Sequence, residues 1–210
     1  MHFRDKHQFP ATSDLGDFID SNPLGTWVTE GNARLTVNHL PLYLDRTSGP
    51  CGTLIGHVAR SNPVWQALDH STPSVVVFHG PQAYITPSWY LAKQEHGKVV
   101  PTWNYAVVHA HGIARAVEDR QWLLHMLNKL TDANESAQPT PWSVDDAPPE
   151  YIDGMLKAII GIEIPIDRLE GKLKASQDKA LRERMSVAKG LSEAPSLNAN
   201  LMAALVEPDG

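Results

Sequence analysis

The sequence predicts a mainly β fold with helices at its margins (α+β), either a barrel or a sandwich. Three observations predict it. Six or more short segments have strand character and are separated by turn residues. Helical periodicity gathers at the ends and in the second half of the chain, so no alternating βαβ series forms. There is also no Gly-x-Gly-x-x-Gly or Walker loop, so any phosphorylated ligand is held by another device.

Residues 12–20 predict a short helix. Thr12 or Ser13 can cap it, and Leu15, Phe18 and Ile19 fall on one face. Asn22-Pro23 breaks the chain. Residues 26–29 and 35–44 read as two strands joined by a Glu30-Gly31-Asn32 turn, and residues 52–58 as a third. Ser61-Asn62-Pro63 offers a cap followed by a proline suited to a first helical position. Val75-Val76-Val77-Phe78 is an apolar run of strand length, and His79-Gly80-Pro81 is read as a turn into a further strand, 83–86.

Residues 103–117 are mostly β-branched, aromatic or small. They predict one long bent strand, with Gly112 at a bulge or bend. Asp119 can cap a helix carrying Trp122, Leu123, Met126, Leu127 and Leu130. Residues 131–149 read as a loop, 150–157 as a helix, 159–166 as a strand and 172–190 as a basic helix. The tail after Ser192 reads as weakly structured. The expected organisation is a barrel domain over residues 1–168, followed by a basic helix and flexible tail over 169–210.

Composition limits the functional classes. With 42% hydrophobic and 20% charged residues, the 210-residue chain is an ordinary globular protein able to bury a sizeable core. The single cysteine, Cys51, excludes an internal disulfide and fits a reducing compartment. No run approaches the ~20 apolar residues of a membrane span, and the N-terminus lacks an apolar signal core. A cytoplasmic location with no membrane partner is expected. The net charge of −6 argues against broad nucleic-acid affinity.

Four segments carry groups suited to a flat, phosphorylated heterocycle. Thr36-Val37-Asn38-His39-Leu40-Pro41 can present backbone donors and acceptors along a strand edge. In Gly56-His57-Val58-Ala59-Arg60-Ser61-Asn62-Pro63 a strand end meets a helix start, with Arg60 as a fork of donors. Pro87-Ser88-Trp89-Tyr90 and Pro101-Thr102-Trp103-Asn104-Tyr105 each join a hydroxyl to large rings that can wall a planar group. Taken singly, an edge strand, a capped helix and two core corners explain the same residues.

Together, residues 56–65, 80–90 and 100–109 closely resemble the PaiB family, bacterial FMN-binding proteins described as negative transcriptional regulators. Pro23-Leu24-Gly25-Thr26-Trp27-Val28-Thr29, Asn38-His39-Leu40-Pro41 and Lys172-Leu173-Lys174-Ala175-Ser176-Gln177 are similar to it too. The resemblance implies an FMN-binding split β-barrel related to the pyridoxamine-phosphate oxidases, homodimeric, with flavin mononucleotide (FMN) in clefts between subunits.

The resemblance also assigns a cofactor site. Thr36, Asn38, His39, Leu40 and Pro41 meet the isoalloxazine edge. His57, Ala59, Arg60, Ser61 and Asn62 take the phosphate. Trp103, Asn104 and Tyr105 reach in from the partner subunit. Lys174, Ser176 and Gln177 match the family's Lys-x-Ser-Gln motif. Asp178 and Lys179 stand where members often carry Asn and a basic residue.

Two other functions compete with a flavin-binding regulator. An FMN oxidoreductase would draw its acid or base from His39, His57 or Tyr84. A haem-binding split barrel would use one of the ten histidines as axial ligand. His109 and His111 would share one strand face, but spacing supplies no third metal ligand, and no metal is assigned. Residues 171–190 hold Lys172, Lys174, Lys179, Arg182, Arg184 and Lys189 against Asp178 and Glu183, six positive minus two negative charges. Such a helix could meet DNA phosphates, but it has no helix-turn-helix signature.

Overall fold

The computed structural model describes residues 7, 9, 12–31, 34–69 and 71–207; the side chains of residues 12–14 lie outside that description. The predicted Thr12 or Ser13 cap and Asn32 of the predicted turn therefore lie outside the described residues. The elements in order are α1 (Thr12–Ser21), β1 (Leu24–Gly31), β2 (Arg34–Pro41), β3 (Tyr43–Asp45), β4 (Thr53–Ala59), β5 (Pro73–Ile85), α2 (Ala92–Glu95), β6 (Thr102–Ile113), β7 (Arg115–Val117), α3 (Arg120–Glu135), α4 (Pro149–Lys157), β8 (Ile159–Lys174), α5 (Leu181–Ser192) and α6 (Leu197–Val206). The sheet runs β2-β1-β5-β6-β8-β4-β3, with β7 also on β8. Two compact units emerge. One comprises Gly16–Phe78 and His109–Leu169, the other Met1–Leu15, His79–Val108 and Glu170–Gly210.

In the first unit, β1 pairs antiparallel with β2 and β5. β4 pairs with β3 and β8, and β7 with β8. Alternation along the strands buries Trp27, Leu54, Val76, Phe78, Ile160, Ile162 and Ile164. Asp119 caps α3 as predicted, its carboxylate accepting from the Trp122 N–H at 2.8 Å. The helix then lays Leu123, Met126 and Leu130 against Ile55 and Leu156. Gly161 lets the Trp122 ring pack directly on β8; a Cβ there would lie 2.3 Å from the ring.

The second unit has its own apolar core, built from Ala83, Ile85, Tyr90, Val187, Leu191, Met202 and Val206. The Glu183 carboxylate, nearly buried, accepts from the backbone N–H groups of Leu91 and Ala92 at 3.0 and 2.9 Å. These are the leading donors of α2, which its own hydrogen bonds cannot satisfy.

Three expectations are corrected. The predicted turn at His79-Gly80-Pro81 lies inside β5. Even-numbered residues are buried up to Phe78 and odd-numbered ones from Ala83, so the strand slips phase by one residue at the Gly-Pro step instead of ending. The basic helix starts at Leu181, not at 172, because Lys172 and Lys174 complete β8. The tail is not weakly structured over 197–206. α6 forms there, and Ala199, Met202, Ala203 and Val206, at i, i+3, i+4 and i+7, bury one face. Its outer face mixes exposed Leu197, Leu201 and Leu205 with Asn198 and Asn200, so the sequence showed no strongly polar face to mark it as a helix.

Candidate functional site

In the first unit, β2 carries five of the nominated residues. Its alternation turns Thr36, Asn38 and Leu40 to the more buried face and His39 and Pro41 outward. The end of β4 carries His57 and Ala59, paired with Gly161 and Ile159. Asn62 joins these two places. Its Nδ2 donates to Asn38 Oδ1 at 2.7 Å, while its Oδ1 accepts from the Val64 N–H at 3.0 Å and starts the 3-10 turn Pro63–Ala67. The helix start that the sequence suggested is thus real, but only one turn long.

Arg60 is committed to the protein. Its Nε donates to the Lys157 carbonyl at 2.8 Å, and its two terminal nitrogens to Glu118 at 2.7 Å and the Ile159 carbonyl at 3.3 Å. The Arg60 carbonyl in turn accepts from Trp65 Nε1 at 3.0 Å. The side chain acts as a clamp on the turn. His57 is different: its Nδ1 is buried without a hydrogen-bond partner, and burial holds its pKa below the ordinary imidazole value. The ring is therefore neutral near pH 7 and keeps one nitrogen in reserve.

In the second unit, five nominated residues from two distant segments meet. Thr102, Asn104 and Tyr105 from β6 line one cavity of about 430 Å³ with Lys174 and Ser176. That volume suits a small-molecule site. Lys172, Lys179, Asp178, Tyr90 and His7 also line it, and its three lysines against one aspartate leave it cationic. Lys174 Nζ donates to Thr102 Oγ1 and to the Trp103 carbonyl, which fixes its position at the start of β6. Lys172 Nζ lies 5.4 Å from the centre of the Tyr105 ring. Asn104 is fully buried; its Nδ2 donates to Ser176 Oγ at 2.9 Å, while its Oδ1 has no partner.

Other nominated residues of this unit do not line that cavity. Trp89 packs its ring on Gly190, where a Cβ would lie 2.5 Å from ring atoms, so it is the core corner that packing alone would predict. Ser88 Oγ accepts from Lys93 Nζ at 3.0 Å. Gln177 closes its own turn, Oε1 accepting from the Ala175 N–H at 2.7 Å. Trp103 is half-exposed, its ring centroid 6.2 Å from that of Tyr84. Sequence reasoning missed Lys172 and Lys179 as cavity residues and named Tyr90 only within its aromatic cluster. Tyr90 directly follows Ser88-Trp89, so adjacency was the available signal.

Two of the nominated residues carry buried atoms without a partner. Among the described residues, the buried side-chain nitrogen and oxygen atoms without a partner are Trp27 Nε1, His57 Nδ1 and Asn104 Oδ1. The last two belong to residues nominated for the cofactor.

Residues 1–168 match the family model "Putative FMN-binding domain". The chain is 31% identical over 194 residues to the protease synthase and sporulation protein PAI 2 of Bacillus subtilis, covering 92% of this chain and 90% of that protein. It is also 33% identical to an uncharacterized protein of Aspergillus fumigatus, covering 92% and 91% of the two chains, so the relatives are not confined to bacteria. Among solved structures, the flavocytochrome Anf3 of Azotobacter vinelandii is similar with TM-score 0.57 and 12% identity, covering 82% of this chain and 72% of that one. A conserved hypothetical protein of Mycobacterium tuberculosis gives TM-score 0.58 and 13% identity, over 82% and 90%. At such identities the likeness concerns the fold, a split β-barrel.

Proposed function

The chain belongs to the PaiB-like family of FMN-binding domains, and from that premise we propose that it is a homodimeric, flavin-responsive negative regulator whose signal is the occupancy or redox state of its FMN. One observation carries the FMN part: the cationic cavity of about 430 Å³ lined by the nominated residues Thr102, Asn104, Tyr105, Lys174 and Ser176. The cationic cavity of Thr102, Asn104, Tyr105, Lys174 and Ser176 takes the phosphate of FMN. When bound, FMN supplies the redox chemistry; the protein's residues bind and orient it.

The regulatory part is supported by the PaiB resemblance and by the likeness to a Bacillus protein named for protease synthesis and sporulation. Direct DNA contact through α5 gains no support. Arg182 pairs with Glu95 at 2.8 Å, and Arg184 donates to the carbonyls of Val206 and Glu207. No helix of the described residues is long and apolar enough to cross a membrane.

Sedimentation velocity followed at the flavin absorbance band tests the shared cleft. The bound flavin is expected to travel with the dimer and to be released as dilution splits it, because a ligand held between subunits stabilises their association. Flavin travelling with a monomer would contradict the shared site.

A further inference from the structure

We propose that the first unit holds a second ligand site, in the cavity between β3, the end of α1 and α3, and that it takes a small zwitterion, an α-amino acid with an apolar side chain: Asp45 meets the ammonium group and Lys129 the carboxylate.

The cavity has a volume of about 490 Å³, within the range of small-molecule sites. All of its walls belong to the first unit, and none of its lining residues is nominated for the flavin. β3 ends the sheet order, so one of its edges pairs with β4 and the other has no strand beside it among the described residues. Strand alternation sets Tyr43 and Asp45 on one face of β3. On α3, a four-residue spacing sets His125, Lys129 and Ala133 on one face. Leu42, Leu44 and Leu130, all nearly buried, give the cavity an apolar floor.

The charges around the cavity cancel but do not all meet. Asp20 and Asp45 balance Arg46 and Lys129. Arg46 is already occupied, pairing with Asp17 and Asp20. Asp45 accepts from the N–H and the hydroxyl of Thr47 at 2.9 and 2.6 Å, both on Oδ1. These bonds hold its carboxyl below the usual carboxylate range, and the charges of Lys129 and His125 lower it further. Asp45 is therefore ionised at pH 7, and Lys129 stands near enough to act on it. Yet among the described residues no ion pair joins the two, and Asp45 Oδ2 accepts no hydrogen bond. The Lys129 ammonium lies instead 5.9 Å from the centre of the Tyr43 ring.

A simple anion at Lys129 would face the charge of Asp45, and a simple cation at Asp45 would face that of Lys129. A ligand that carries both charges on adjacent carbons meets both groups and neutralises each. The amino-acid head has that form, and an apolar side chain gains by covering the leucine floor.

Isothermal titration calorimetry tests this, with FMN in excess so that the titrant does not fill the flavin site. The probes are L-leucine, 4-methylpentanoate, which is leucine without its ammonium group, and 3-methylbutylamine, which is leucine without its carboxylate. Wild type is expected to bind leucine saturably and ~10-fold or more tighter than either analogue, the worth of one charge-assisted hydrogen bond. Asparagine keeps the Oδ1 acceptor for Thr47 but not the charge, so Asp45→Asn is expected to lower leucine affinity ~10-fold without weakening 4-methylpentanoate. Lys129→Met should lower leucine affinity likewise, without weakening 3-methylbutylamine. A general loosening of the fold would weaken all three probes together.

Wild type that takes up no leucine at about 10 mM, where a site of millimolar affinity is nearly filled, overturns the proposal. So does either analogue binding as tightly as leucine, which would mark a plain anion or cation site. Leucine binding that neither substitution weakens overturns it too, because the ligand then lies elsewhere.

Discussion

Replacing Lys174 with methionine lowers the affinity for FMN by roughly 10- to 150-fold, the equivalent of about 1.5–3 kcal/mol for a charge-assisted contact. The lysine lines the cationic cavity, and its ammonium is held at the start of β6 by Thr102 and the Trp103 carbonyl. Positioning of this kind removes side-chain entropy before the ligand arrives, which is where a preorganised contact gains over a free surface lysine. Methionine keeps most of the length and apolar stem but removes the charge. The loss should be much smaller for riboflavin, which lacks the phosphate, and Lys174→Arg should retain much of the FMN affinity. An equal loss for FMN and riboflavin would show that Lys174 acts on the fold of β6 and not on the phosphate.

Gly112→Ala destabilises the folded chain by ~3 kcal/mol, the upper range for forcing an extra group into a packed interior. A Cβ at this position would stand 2.2 Å from the carbonyl oxygen of Pro165 and 3.1 Å from the Ile164 side chain. The first of these is backbone and cannot turn aside as a flexible side-chain end would. β6 and β8 are neighbours in the sheet, so relief requires the two strands to part. Urea unfolding checks this: the midpoint should fall at an unchanged slope. A change below about 0.5 kcal/mol would mean that the strands separate at little cost.

The value of that glycine was partly legible in the sequence. A lone glycine in a β-rich run announces a bulge, a bend or a close approach; the structure shows close approach within a continuous β6. Strand existence was readable in residues 26–29, where alternate residues are buried, and in 52–58, an apolar stretch buried almost throughout. Strand length was not. The Gly-Pro step in β5 carries the residue types of a turn, yet neighbouring strands hold it in the sheet and absorb the extra residue as a phase slip.

The candidate site divides along similar lines. Each half of the cavity is a short local motif, but Thr102 and Lys174 lie 72 residues apart, and residue types alone cannot bring them together. Their joint nomination came from resemblance; their convergence on one cavity is structural. Arg60 shows the reverse. Its chemistry suits a phosphate, but three carbonyl and carboxylate oxygens supplied by the fold occupy its donors instead. Tyr90 was named only within the Pro87–Tyr90 aromatic cluster; it lines the cavity and also packs in the apolar core.

Equilibrium dialysis of the folded, desalted protein against FMN, read by the visible absorbance of the retained flavin, tests the central claim most directly. The account predicts saturable uptake approaching one FMN per chain, with uptake strongly reduced in the Lys174→Met variant. A folded protein that retains no flavin at any concentration, or whose uptake that variant leaves unchanged, would contradict it.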